Sequence, residues 1–158
     1  MKSMKWALWS LAFFSGVVFG QVAASRTKGQ LLYLPIYSHI WHGEIRNGEP
    51  SKTSVSVSVS IRNTDPGKPI QVTSAQYFDT NGRKLKEYVP APRTIAPMGT
   101  HELFIPRNDD TGGSGANFVI AWRSDANVNA PVVEAIHVDL PSARTIAFTT
   151  SARQIFVD

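Results

Sequence analysis

The sequence predicts an all-β fold, an immunoglobulin-like antiparallel β-sandwich of seven or eight strands. Three observations carry that expectation. Residues 53–63, TSVSVSVSIRN, alternate strictly: Val55, Val57, Val59 and Ile61 take one parity, and Ser54, Ser56, Ser58, Ser60 and Arg62 the other, as in a half-buried strand. No segment beyond the first 24 residues sustains a 3.6-residue apolar pattern. Short apolar runs alternate throughout with clusters of Gly, Pro, Asn and Asp, the punctuation of a sandwich rather than of a barrel or an α/β chain.

The chain opens with MKSMKWALWSLAFFSGVVFGQVAA, a basic start at Lys2 and Lys5 followed by an uncharged apolar run from Trp6 to Gly20. That layout predicts a signal peptide over residues 1–24, with Val22 and Ala24 as the small residues before the cut. The competing reading is a retained membrane anchor. It is disfavoured because the run is shorter than the ~20 apolar residues a spanning helix needs and is broken by Ser10, Ser15 and Gln21. Residues 25–158 are then a single β-sandwich domain, periplasmic or secreted, with no permanent membrane anchor. The chain has no cysteine, so neither a disulfide nor a lipidated cysteine is available, and stability must come from an ordinary core.

The formal charge of +4 includes Lys2 and Lys5, so the mature chain is nearly balanced. The one dense basic cluster, RKLK at 83–86, follows a turn and reads as a solvated hairpin edge. Nucleic acid is therefore not an expected partner.

After a polar leader, SRTKGQ, the stretch YLPIYSHIWHG (33–43) reads as a strand near a sheet edge, because Pro35 cannot donate a ladder hydrogen bond. Tyr33, Tyr37 and Trp41 stand at even separations and share one expected face with His39, while Ile36, Ile40 and His42 share the other. Both faces are largely apolar, which suits a strand covered on both sides, its aromatics closing the sandwich, or one whose aromatic face is a partner's docking site. The alternating 53–63 strand follows, and NTDPGKP closes it. IQVTSAQYFDTNGRKLKEYV then reads as a hairpin reversing at Asp79–Gly82. PAPRTIAPMG is a proline-punctuated connection and THELFIP a short strand. ANFVIAWRS is a nearly continuous apolar strand of the buried kind, with Trp122 expected in the core. PVVEAIHVDL and RTIAFTTSARQIFV complete the set.

No catalytic constellation is present. The loop NDDTGGSGAN offers Asp109, Asp110 and Asn117 as oxygen-bearing partner contacts, yet lacks the acid ladder of a calcium loop. Its GGSGA misses the nucleophile-elbow pattern. SRTK at 25–28 matches S-x-x-K only at the expected cleavage point. Glu134 shares a parity with Val132, Ile136 and Val138, which places it on the expected core face of its strand. There it needs a partner, and Arg62 is taken as that partner, with Arg123 and Arg153 as alternatives.

The four histidines are His39, His42, His101 and His137. A separation of three on a regular strand points His39 and His42 to opposite faces, so one ion reaches both only across a bulge. The function expected is an exported, non-enzymatic binding or assembly module of the bacterial cell envelope, without a cofactor, whose partner is an envelope protein or surface ligand. The alternative is a periplasmic copper- or zinc-binding protein using His39 or His42, with His137 as a further ligand.

The segments LYLPIYSHIWHG, VSIRNTD, YFDTNG, APMGT, DDTGGSGANFVIAW, PVVEAIHV and SARQI, in this order, resemble a family of exported bacterial proteins, the domain-of-unknown-function family numbered thirty-one twenty-four. The resemblance covers nearly the whole mature chain. It implies export and an all-β fold but no activity. The resemblance also implies that relatives often carry methionine where this chain has His137, which counts against a metal site built on that residue.

Overall fold

A computed structural model describes residues 26–141 and 145–157. The expected signal segment, residues 1–24, and Ser25 of the SRTK tetrad lie outside the described residues. Every regular element among those described is a strand, and every pairing is antiparallel. The larger sheet runs in the order β12 (Arg153–Ile155), β1 (Arg26–Ile36), β9 (Ala116–Asn129), β5 (Ile70–Phe78), β6 (Lys84–Glu87), with β7 (Arg93–Ile95) also paired to β5. The smaller sheet has the order β11 (Ile146–Ser151), β10 (Val132–Asp139), β4 (Ser56–Arg62), β8 (Thr100–Ile105). A separate ribbon pairs β2 (His39–Arg46) with β3 (Glu49–Ser54).

One apolar core lies between the two sheets. The alternating segment behaves as its pattern requires: Val55, Val57, Val59 and Ile61 are fully buried, and β4 sits between β10 and β8. From the other sheet come Leu32, Leu34, Ile36, Val72, Tyr77, Phe118, Ile120 and Trp122. Trp122 is 3% exposed, and its indole N–H donates to Gln30 Oε1 at 3.3 Å, the polar outlet a buried tryptophan needs. The hairpin reverses where expected. Asp79 Oδ1 accepts the Asn81 and Arg83 amide hydrogens at 3.0 and 2.9 Å, and Gly82 supplies φ +79°. Asp65 Oδ1 accepts the Gly67 and Lys68 amide hydrogens, and its Oδ2 accepts that of Asn129, which pins the 63–69 loop to the end of β9.

Three expectations are corrected. Twelve strands form among the described residues instead of seven or eight, because short edge pairings at β6, β7 and β12 and the β2–β3 ribbon add to the main ladders. The stretch 33–43 is not one strand. It leaves the larger sheet after Ile36 and resumes as β2 at His39, so Tyr33, Tyr37 and Trp41 do not share a face. Pro35 lies beyond the three-residue pairing of β1 with β12, and its carbonyl accepts the Thr150 hydroxyl at 2.7 Å. Its missing amide hydrogen thus falls on the flank that carries no ladder pairing at this point of an otherwise interior strand.

The third correction concerns β10, whose buried parity is Val133, Ala135, His137 and Asp139, while Val132 and Ile136 are over 40% exposed. Glu134 therefore faces outward. It does meet Arg62, Nη1 to Oε2 at 3.2 Å, but both side chains are 40% or more exposed and the pair joins neighbouring strands of one sheet. A buried lock between sheets it is not.

Candidate functional site

The break after β1 organises one end of the sandwich. Tyr37 and Ser38 step out of the ladder, and their backbone groups find other partners, as buried amides must. The Ser38 N–H donates to the Gly113 carbonyl and the Ser38 carbonyl accepts from Val55, both at 3.0 Å. The Tyr37 N–H donates to His137 Nε2 at 3.1 Å. The Ser38 and Tyr77 hydroxyls meet at 2.9 Å in the interior, where burial pushes the Tyr77 phenol up to about 12. That phenol stays neutral across the physiological range, so the contact joins the break to the core without supplying an acid or base.

From this junction the ribbon carries Trp41 into solvent. Its ring is 46% exposed and is held edge-on by His39, centroids 5.0 Å apart at 85°. His39 is 7% exposed, and its Nδ1 is buried without a hydrogen-bond partner. Burial, and next the charge of Lys52, hold its imidazole below the usual histidine range, while Asp110 opposes them. Lys52 stands opposite Trp41 in the ribbon, and its ammonium bonds Asp110 Oδ2 at 2.5 Å. That contact ties the ribbon to the loop after β8 and holds the Asp110 carboxyl below the usual carboxylate range. Beyond Trp41 every residue from Gly43 to Glu49 is exposed, Ile45 at 73%, and the ribbon reverses through Asn47 and Gly48 at φ +56° and +88°, as an Asn-Gly hairpin does.

The expected metal ligands separate. His39 turns to Trp41, whereas His42 Nε2 meets Thr53 Oγ1 at 2.8 Å on the other face of the ribbon. His137 lies in the core against Phe148, rings stacked at 4.5 Å. Among the described residues no three His, Cys, Asp or Glu side chains gather at metal-binding spacing. Of the expected partner contacts, Trp41 and Asp110 come together through Lys52. Tyr33 instead carries the Arg153 guanidinium over its ring at 5.7 Å. Tyr37 meets the stacked rings of His137 and Phe148 edge-on, and Asn117 is half-buried in β9 between Pro35 and Phe78.

Asp109, of the same loop as Asp110, lines an open cleft against the β5–β6 hairpin together with Lys86 and Tyr88. Sequence reading missed Lys52, Tyr77 and Tyr88, and took Lys86 only as part of the solvated RKLK edge. Only Lys86 and Tyr88 left a signal, since their separation of two puts them on one face of β6 and its continuation. As RKLK suggested, β6 is an edge strand, with Arg83 paired to Asp79 and Lys84 to Glu87.

Among curated proteins none matches the sequence. The crystal structure of Thermotoga maritima 1070 is 13% identical, at a TM-score of 0.46 over 78% of this chain and 92% of that one. The profile of the family described as "Protein of unknown function (DUF3124)" matches residues 29–155, and the chain belongs to that family.

Proposed function

We propose that the chain is an exported, non-enzymatic binding module of the cell envelope. In this reading residues 1–24 are a signal peptide, the two sheets form an immunoglobulin-like sandwich, and the β2–β3 ribbon with the 106–115 loop presents the binding surface to an envelope protein. The observation that carries it is Trp41: half exposed, braced by His39, and set beside a lysine whose ion pair fixes the ribbon to the loop. A tryptophan held in one orientation offers large contact area at little entropic cost. At this end the Ser38, Tyr77, Lys52, Asp110 and His42 side chains are engaged in structural bonds, whereas His39 Nδ1 has no partner.

The test has two arms. Intact-mass analysis of the released soluble fraction reads export, with a species beginning near Ser25 expected; a dominant membrane-bound chain keeping residues 1–24 sinks that part. Crosslinking of purified protein to envelope extracts reads binding. A discrete adduct lost in Trp41→Ala, at unchanged circular dichroism, is expected, and an adduct indifferent to Trp41 removes the ribbon from the surface.

The metal-binding alternative rests on the unpartnered Nδ1 of His39. A sub-micromolar copper or zinc site in wild-type calorimetry that disappears in a His39→Ala, His42→Ala double variant would install it instead.

A further inference from the structure

The cleft between the β5–β6 hairpin and the 106–115 loop measures about 580 Å³, within the span of small-ligand sites, about 300–1,000 Å³. Its walls are set by core contacts. Asp79 fixes the hairpin turn. Thr80 then joins the turn to the loop: its N–H and hydroxyl donate to the Gly112 carbonyl at 2.9 and 3.0 Å, and its Oγ1 accepts the Gly115 amide hydrogen at 3.0 Å. Gly112 lies so close to Tyr77 that a Cβ would stand 1.9 Å from the phenol oxygen.

Between these walls are charges of both signs, of which Lys86 and Asp109 do not pair and Arg83 is only partly engaged. The Lys86 ammonium rests over the Tyr88 ring, 4.4 Å from its centroid. Arg83 gives Nε to Asp79 at 3.2 Å, and its side chain is 76% exposed, which leaves the outer guanidinium nitrogens to solvent. Across the cleft, Asp109 Oδ1 accepts the Thr111 hydroxyl at 2.6 Å and the Thr111 amide hydrogen at 3.3 Å. Among the described residues neither Asp109 nor Lys86 enters an ion pair. The Asp109 side chain lines the same cleft as Tyr88, and burial first, the Asp109 charge second, raise the Tyr88 phenol.

This set of groups constrains what fits. A neutral polyol leaves two cations unused, and a bare small anion meets the Asp109 carboxylate. A ligand bearing an anion beside hydroxyl groups uses both signs: the anion faces Lys86 and Arg83, the hydroxyl hydrogens go to Asp109, which when ionised only accepts, and the exposed Asn108 amide serves either. Apolar ring carbons then lie against the part-buried Tyr88. We propose that this cleft binds an acidic saccharide of the uronate class. The proposal rests on the reading of the chain as a binding module, but neither Trp41 nor any other residue of the β2–β3 ribbon lines the cleft, so each can fail alone.

The experiment is a titration of the ¹⁵N-labelled mature protein with trigalacturonate, maltotriose and acetate. Trigalacturonate is expected to bind with a dissociation constant of about 1 mM or tighter, to shift the amides of residues 83–88 and 108–111, and to lose at least about tenfold in Lys86→Gln and in Asp109→Asn. Both positions sit at the surface of a cleft held by other residues, and unchanged dispersion of the remaining amides verifies each variant's fold. The proposal is overturned by no binding of trigalacturonate, by equal binding of maltotriose or acetate, by shifts elsewhere, or by undiminished affinity in either variant.

Discussion

His137 Nε2 accepts the Tyr37 amide hydrogen at 3.1 Å, and this bond ties the inner face of β10 to the point where β1 leaves its sheet. The imidazole must be neutral to accept. Burial holds its pKa at about 4, with the Phe148 backbone pulling weakly the other way. Around it stand Phe148 of β11, Val57 of β4 and Tyr37, with Asp139 two residues along committed to Arg107 at 2.7 Å.

A folded pKa below the unfolded value near 6.5 fixes the sign of the pH dependence. The unfolded chain takes up the proton first, so this contribution is complete above about pH 6.5 and is lost as pH falls toward about 4. Unfolding free energies from urea titrations between pH 7.5 and 4.5 should fall, by about 1.4 kcal/mol per pH unit at most from this group. His137→Leu should flatten the curve without levelling it, since His39 and His101 are also lowered by burial. At pH 7.5 the same variant should be less stable by about 1–3 kcal/mol, the cost of a buried amide without its acceptor. An unchanged slope would show that His137 does not titrate in this way.

Gly112→Ala should be among the costliest single-methyl additions in the chain. The new Cβ would meet Tyr77 Oη at 1.9 Å and Ala116 Cβ at 2.8 Å, and Tyr77 is buried and bonded to Ser38. Overpacking of this kind costs about 1–3 kcal/mol or more. Equilibrium denaturation measures it, and Tyr77→Phe in the same chain should recover part of the loss by removing the nearest atom.

Trp122→Ala removes a side chain 3% exposed in the centre of β9 and leaves Gln30 Oε1 without its donor. The expected loss is about 3–5 kcal/mol, with a far-UV spectrum still of β type wherever the variant remains folded. A loss under about 1 kcal/mol would mean that the indole is not in a close-packed core.

Glu134→Gln should change stability by less than about 1 kcal/mol, because the pair with Arg62 is largely exposed and screened. A double-mutant cycle with Arg62→Gln checks the coupling directly. A coupling of several kcal/mol would restore the buried lock that alternation suggested.

That contrast shows how far the sequence is legible. In 53–63 one parity is all apolar and the other is serine, so the pattern has a single solution, and the residues are buried accordingly. In β10 the two parities compete. Val132, Ile136 and Val138 look more like a core than Val133, Ala135, His137 and Asp139, yet the second set is buried because His137 finds Tyr37 and Asp139 finds Arg107 across the fold. The stretch 33–43 hid its break for the same reason. Nothing local to Ser38 announces that its amide bonds Gly113 and its hydroxyl Tyr77. The Asp109 cleft likewise joins residues 83–88 to 108–111, which no local period brings together.

The place of β1 in the larger sheet has a kinetic consequence. Its two neighbours come from residues 116–129 and 153–155, so the earliest-made strand waits for the latest-made before its ladder is complete. Loop-closure entropy must be lost over most of the chain before those pairings compensate it. Folding should therefore be late and cooperative, on the order of milliseconds to seconds as for other β proteins rich in distant contacts. A nascent chain stalled before residue 116 would hold β1 without either of its partners, and that fragment should be open to proteolysis until the final strands emerge.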